Sequence, residues 1–227
     1  MNILIIIPIT GLSNDDIQKR MTYLQSIARN DTEIVYIQLT DGPLAIECLV
    51  DHLQAAAEVI KVVPNLEERG FDAIIVWCGG DPGVEEARTL VDIPIIGPGE
   101  SMRLFASFMG RKVVSIPHPL PVLELRDDLD KTYLLTEEKI RDAVNEGYDS
   151  FYLDCLGMYG MGKELREKTG YSIIDGGEAS LKLAEVIVEL GLKTNRLAYP
   201  KYPPPHRLQN PYFSTQYLIS VPLYPSR

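Results

Sequence analysis

One nine-residue pattern occurs twice in this chain. Residues 70–78 read GFDAIIVWC and residues 147–155 read GYDSFYLDC, an offset of 77. A second pair follows in the same order, IIGPGES at 95–101 against IIDGGEA at 173–179, an offset of 78. The beginnings match more loosely, ILIIIPIT at 3–10 against KVVSIPHP at 112–119. Three matches in one order predict two halves of like design.

Between the matches, short Val/Ile-rich runs alternate with longer amphipathic segments, the pattern of βαβ units around a parallel sheet. Strands are expected at 3–7, 33–39, 73–77, 93–96, 112–116, 150–154 and 172–174. Helices are expected at 15–29, 43–63 (with a break), 84–90, 100–109, 136–145, 163–169 and 178–190. Asp81, with Pro82 after it, reads as the cap of the helix that follows, and Thr136 as the cap of another. Gly191 reads as a helix stop. The fold class is therefore α/β: two pseudo-symmetric parallel-sheet halves of about four strands each, with the site between them. The halves divide as 1–97 and 98–194, and 195–227 returns to complete the first.

Composition excludes several function classes. With 22 Lys+Arg against 32 Asp+Glu, the net charge of −10 argues against a nucleic-acid binder or an anionic-membrane binder. From Tyr199 onward there are Lys201, Arg207 and Arg227 and no acid, so that tail carries +3 and the rest −13. Its Pro- and Tyr-rich composition reads as a subunit contact, which makes a homo-oligomer the expectation. The apolar start is too short to span a bilayer and reads as a first buried strand. Three scattered cysteines form neither a disulfide framework nor a closed zinc site, so no metal is expected and a cytoplasmic setting follows by default.

Two of those cysteines carry the chemistry. Cys78 and Cys155 each end an apolar strand and precede a glycine-containing turn, Gly79-Gly80 and Leu156-Gly157. In open parallel sheets, ligands bind at that edge. Backbone N–H groups and a following helix start are expected to lower the thiol pKa values and to hold a developing oxyanion. Two equivalent thiols suit proton traffic on both faces of one carbon, a two-base racemisation or epimerisation without a cofactor. Cys48, in AIECLVDHL, reads as helical core; His118 reads as a solvated loop histidine. Glu100 and Glu178 are equivalent in the repeat and read as helix-start acids.

The stretches TDGPLAIE at 40–47, WCGGDPGVEEAR at 77–88, IIGPGESMRLF at 95–105, DCLGMYGMGKEL at 154–165 and IIDGGEASLKLAE at 173–185 resemble the aspartate/glutamate/hydantoin racemase superfamily, most closely its hydantoin/allantoin racemase branch. The likeness runs from Met1 to about His206. It implies two α/β halves, racemisation without pyridoxal phosphate or metal, and a small-molecule substrate between the halves. Cys78 and Cys155 would be the acid/base thiols. Gly79, Gly80, Leu156 and Gly157 would offer backbone donors to the substrate, and Thr10 and Pro117, past the matched first strands, would contact it. Pro8-Ile9-Thr10 departs from the branch by placing isoleucine where it carries a polar amide. The rival readings are a decarboxylase or cis–trans isomerase on the same scaffold and a non-catalytic small-molecule-binding protein.

Overall fold

The apolar run Asn2–Ile7 forms strand β1, and residues 3 to 7 are all fully buried. Unbroken hydrophobicity is what a strand covered on both faces requires. Ile3, Ile5 and Ile7 face one core cluster, Leu4 and Ile6 another. A computed structural model describes residues 1–202; the PPP run at 203–205 and the aromatic tail beyond it lie outside the described residues.

After β1 come helix α1 (Asn14–Ile27), β2 (Glu33–Gln38), α2 (Leu49–Val62), β3 (Ala73–Val76), α3 (Val84–Arg88) and β4 (Ile95–Ile96). Helix α4 (Pro98–Met109) leads to β5 (Val113–Ile116), α5 (Leu129–Asn145), β6 (Ser150–Leu153), α6 (Met161–Thr169), β7 (Ile173–Ile174) and α7 (Gly176–Glu189). The strands form two parallel sheets, in the order β2-β1-β3-β4 and β5-β6-β7. All seven expected strands are present. The second half has three strands rather than about four, because residues 117–128 form loop and a short 3-10 turn where the first half has α1 and β2.

Two helix starts differ from the sequence reading. Helix α5 begins at Leu129, where the Asp128 carboxylate accepts from the Lys131 N–H at 3.0 Å. Thr136 lies inside it, buried, and its hydroxyl is satisfied by donating to the Thr132 carbonyl at 2.7 Å. Helix α3 is capped by Gly83 rather than by Asp81. Gly191, with φ of +65°, does follow the end of α7.

The helices after β4 and β7 cross between the halves. Helix α4 packs on β6 and α7 packs on β3, and α4 and α7 pack on each other. Leu181 and Ala184 of α7 belong to the core cluster of Ile3, Ile5, Ile75 and Trp77. A boundary at 97/98 keeps α4 with the second sheet, which it covers, whereas α7, within 98–194, covers the first sheet. The segment after α7 returns to the first half, where the Tyr202 N–H donates to the Thr89 carbonyl at 2.8 Å. Among the described residues, no helix is long and apolar enough to cross a membrane.

Candidate active site

The repeat places the same turn at the carboxyl end of β3 and of β6. One last ladder bond holds the residue before each cysteine: the Trp77 N–H donates to the Ile6 carbonyl at 2.8 Å, and the Asp154 N–H to that of Ile116 at 3.2 Å. A tight turn then closes on each cysteine carbonyl, which accepts from Asp81 N–H at 3.1 Å in one half and from Met158 N–H at 3.0 Å in the other. Where the two turns meet, Gly79 passes so close to Asp154 that a Cβ there would lie 1.7 Å from the Asp154 carbonyl oxygen. Only glycine lets the backbones approach this far.

A cavity of about 380 Å³ lies between these turns, and Cys78 and Cys155 both line it. Gly79, Gly80, Leu156 and Gly157 line it as well. Thr10 and Pro117 are not among the lining residues; Ile9 and His118, one position away, are. Successive residues of an extended segment point to opposite sides. Thr10 turns away and donates its hydroxyl to the Pro43 carbonyl at 3.2 Å, while Pro117 is exposed. His118 is held at the cavity wall, with its N–H on the Asp154 carboxylate at 2.9 Å and its ring Nδ1 2.7 Å from the Leu120 carbonyl.

Both cysteine side chains are half-buried. Burial pushes the Cys78 thiol up to about 11 and Cys155 up to about 12. The Gly80 N–H pulls Cys78 the other way by less, as does the Gly157 N–H, which donates to the Cys155 sulfur at 3.3 Å. The Asp81 and Asp154 carboxylates raise Cys78 further; Cys78 itself and Asp154 raise Cys155. The lowered thiol pKa expected from the turns is thus reversed. No long helix starts at either cysteine: α3 begins only at Val84, and a 3-10 turn, Leu156–Met158, follows Cys155. Desolvation outweighs two backbone dipoles.

Several wall residues come from parts of the chain that carried no local signal. Arg20 projects from α1, and Glu47, Cys48 and His52 come from the segment that enters α2. Cys48 is exposed, not core, because the Asp51 carboxylate accepts its N–H at 3.1 Å and fixes it as the first residue before the helix. Glu47 ties this segment to the second half by accepting the Val122 N–H at 2.9 Å. It closes the TDGPLAIE stretch, the one sequence feature that marked this region. Trp77 also lines the cavity and directly precedes Cys78. Among the described residues, no three His, Cys, Asp or Glu side chains gather as a metal site.

The repeat extends to the helices that flank the site. Arg88 donates to the Ile95 carbonyl at 2.8 Å and pairs with Glu100. Each of these residues lies 78 before its counterpart, for Arg166 donates to the Ile173 carbonyl at 2.8 Å and pairs with Glu178 at 2.9 Å. The two glutamates thus serve as anchors between neighbouring elements.

Residues 3–117 match the family model described as Asp/Glu/Hydantoin racemase. A hydantoin racemase of Pseudomonas sp. (strain NS671) is 32% identical, over 79% of this chain and 83% of that protein. The structure of an allantoin racemase from Klebsiella pneumoniae is similar with a TM-score of 0.80 and 27% identity, over 88% of this chain and 94% of that one. A mutant of arylmalonate decarboxylase, at 13% identity and a TM-score of 0.64 over 82% of this chain and 92% of that one, shares the fold. The chain belongs to the Asp/Glu/hydantoin racemase family, within its hydantoin/allantoin racemase branch.

Proposed function

We propose that this chain is a cofactor-independent racemase of 5-substituted hydantoins or closely related cyclic ureides, using Cys78 and Cys155 as its two bases. The observation that carries the reading is the pair of cysteines in matching turns, one from each sheet, lining one cavity. In the forward direction one cysteine, as thiolate, takes the proton from the carbon beside the carbonyl. That C–H bond breaks, an S–H bond forms, and the electron pair is delocalised onto the carbonyl oxygen as an enolate. The other cysteine, as thiol, gives its proton to the opposite face, so its S–H bond breaks and a new C–H bond forms. The product has inverted configuration, and the two sulfurs have exchanged protonation states.

The elevation of Cys155 by Cys78 fits this cycle, because a negative charge on one sulfur disfavours a second on the other, so the pair works with one anion at a time. Gly80 and Gly157 N–H groups sit beside the sulfurs, where they stabilise whichever is the anion. A decarboxylase on this fold needs a single acid, so the matched second thiol favours racemisation.

The test is α-proton exchange in deuterium oxide, followed by NMR and optical rotation, across 5-substituted hydantoins, allantoin, aspartate and glutamate. Exchange with loss of optical activity from either enantiomer of a hydantoin, without added pyridoxal phosphate or metal, is the expected result. Binding without exchange for every compound would instead make the chain a small-molecule-binding protein.

A further inference from the structure

We propose that Arg20 selects the substrate class of this site: carbon acids of the hydantoin type whose substituent ends in a carboxylate. The inference rests on the racemase reading above and adds the chemistry of the substituent. Arg20 arises from the middle of α1, is only 4% exposed and lines the cavity with both cysteines. A guanidinium offers five N–H donors. Among the described residues, Arg20 uses them in one hydrogen bond, from Nη1 to the Asp16 carbonyl at 2.8 Å.

Its surroundings supply no counter-ion in contact. Arg88, Arg166 and Arg196 each face a carboxylate, Glu100, Glu178 and Asp92 respectively. Arg20 faces the ring of Tyr159, 5.1 Å away, and Arg126 covers the same ring at 4.2 Å and adds a second positive charge. The nearby Asp16 carboxylate is turned to the Ser13 hydroxyl at 2.6 Å and makes no ion pair with it. A buried cation held this way is stabilised by an anion that arrives from the cavity.

A second lining residue carries a buried donor without an acceptor. Trp77 is 5% exposed, and its buried indole N–H has no partner among the described residues. Ile9, Leu12 and Leu156 complete an apolar lining suited to methylene groups. The carboxylates of the cavity, Glu47 and Asp154, are occupied by the N–H groups of Val122 and His118 on the second-half loop. An anionic substituent is therefore attracted by Arg20 and repelled by those acids, which fixes the orientation of the ring. A neutral substituent would leave Arg20 desolvated and unpaired.

The experiment compares 5-(2-carboxyethyl)hydantoin with its isosteric neutral amide, 5-(2-carbamoylethyl)hydantoin, as substrates of the full chain and of Arg20→Gln and Arg20→Lys. Racemisation is read by optical rotation, and binding separately by calorimetry. The full chain is expected to prefer the carboxylate by about 10- to 100-fold in kcat/KM, a charge-assisted contact's worth of discrimination. Arg20→Gln should abolish that preference, lowering kcat/KM for the carboxylate more than for the amide and mainly through KM; Arg20→Lys should keep part of it. Equal use of both compounds by the full chain, or an equal loss for both in Arg20→Gln, would overturn the proposal. Selective binding of the carboxylate without racemisation would keep the role of Arg20 and remove the racemase reading instead. Failure to bind either compound would remove the proposal.

Discussion

In the first half, the carboxylate that ties the thiol loop to a helix start belongs to the loop; in the second, it belongs to the helix cap. Asp81, three residues after Cys78, reaches across to α4 and accepts from the N–H groups of Gly99 and Glu100, both at 2.7 Å, with Arg103 at 3.1 Å. Asp175 caps α7, accepting from Gly177 N–H at 2.8 Å, and reaches back to Gly160 N–H at 2.7 Å. The position 78 before Asp175 is Gly97, where a Cβ would meet the Asp81 carboxyl carbon at 2.6 Å. Each half thus satisfies the orphan donors of its helix start once, from opposite sides of the same contact. What the two halves share is a tie between loop and helix, while the residue that makes it has moved. The cysteines themselves have not moved.

The largest test of that equivalence lies at the thiols. Cys78→Ala and Cys155→Ala should each lower racemisation about 10³-fold or more, the scale of a lost acid/base group. Each variant should still exchange the α-proton of one enantiomer with solvent, and the two variants should choose opposite enantiomers. Full racemisation in either, by optical rotation, would break the two-base reading.

Gly79 tests how closely the halves must meet. Gly79→Ala should destabilise the chain by about 3 kcal/mol in urea unfolding, since the added methyl group collides with the backbone of Asp154. Unchanged stability would mean that the turns can separate. The swapped carboxylates differ less. Asp175→Asn should cost about 2–3 kcal/mol and Asp81→Asn about 1–2 kcal/mol. The difference follows because Asp175 is almost fully buried and serves N–H groups of two separate segments, whereas Asp81 serves one helix start and the exposed Arg103. The reverse order would remove the sense of the comparison.

The smallest contrast is between the sulfurs. Both thiols are raised, so thiolate is scarce near neutral pH and grows about tenfold per pH unit until the pKa is passed. With Cys78 at about 11 and Cys155 at about 12, iodoacetamide should label Cys78 faster than Cys155 at any pH below 11. A Cys48→Ser background removes labelling at the exposed third thiol, and peptide mass spectrometry separates the two sites. Rates that level off near pH 8 would show that the turns lower the thiols after all.

Much of this molecule was legible because its signals are local. A run such as NILIII or AIIV is a buried strand wherever it lies, and Gly191 stops a helix through its own φ. The repeat also identified the two thiols that share a cavity. Arg20 gave no such signal, since on α1 it reads as one more charged residue of an amphipathic helix. Thr10 and Pro117 lie one position from residues that line the wall, because alternation decides which side a residue faces where a segment leaves its strand. Along the chain Asp81 reads as a local cap, yet it accepts from Gly99, 18 residues further on, at the start of α4.

The sequence alone determined the two parallel α/β halves, the order of their elements and the pairing of Cys78 with Cys155, since periodicity and repetition depend only on neighbours along the chain. Only the tertiary structure decided that α4 and α7 exchange sheets, that the thiols are raised rather than lowered, and that Arg20 stands beside them without a carboxylate. Those properties are set by which surfaces lose water together, and desolvation belongs to the packed molecule rather than to any segment of it.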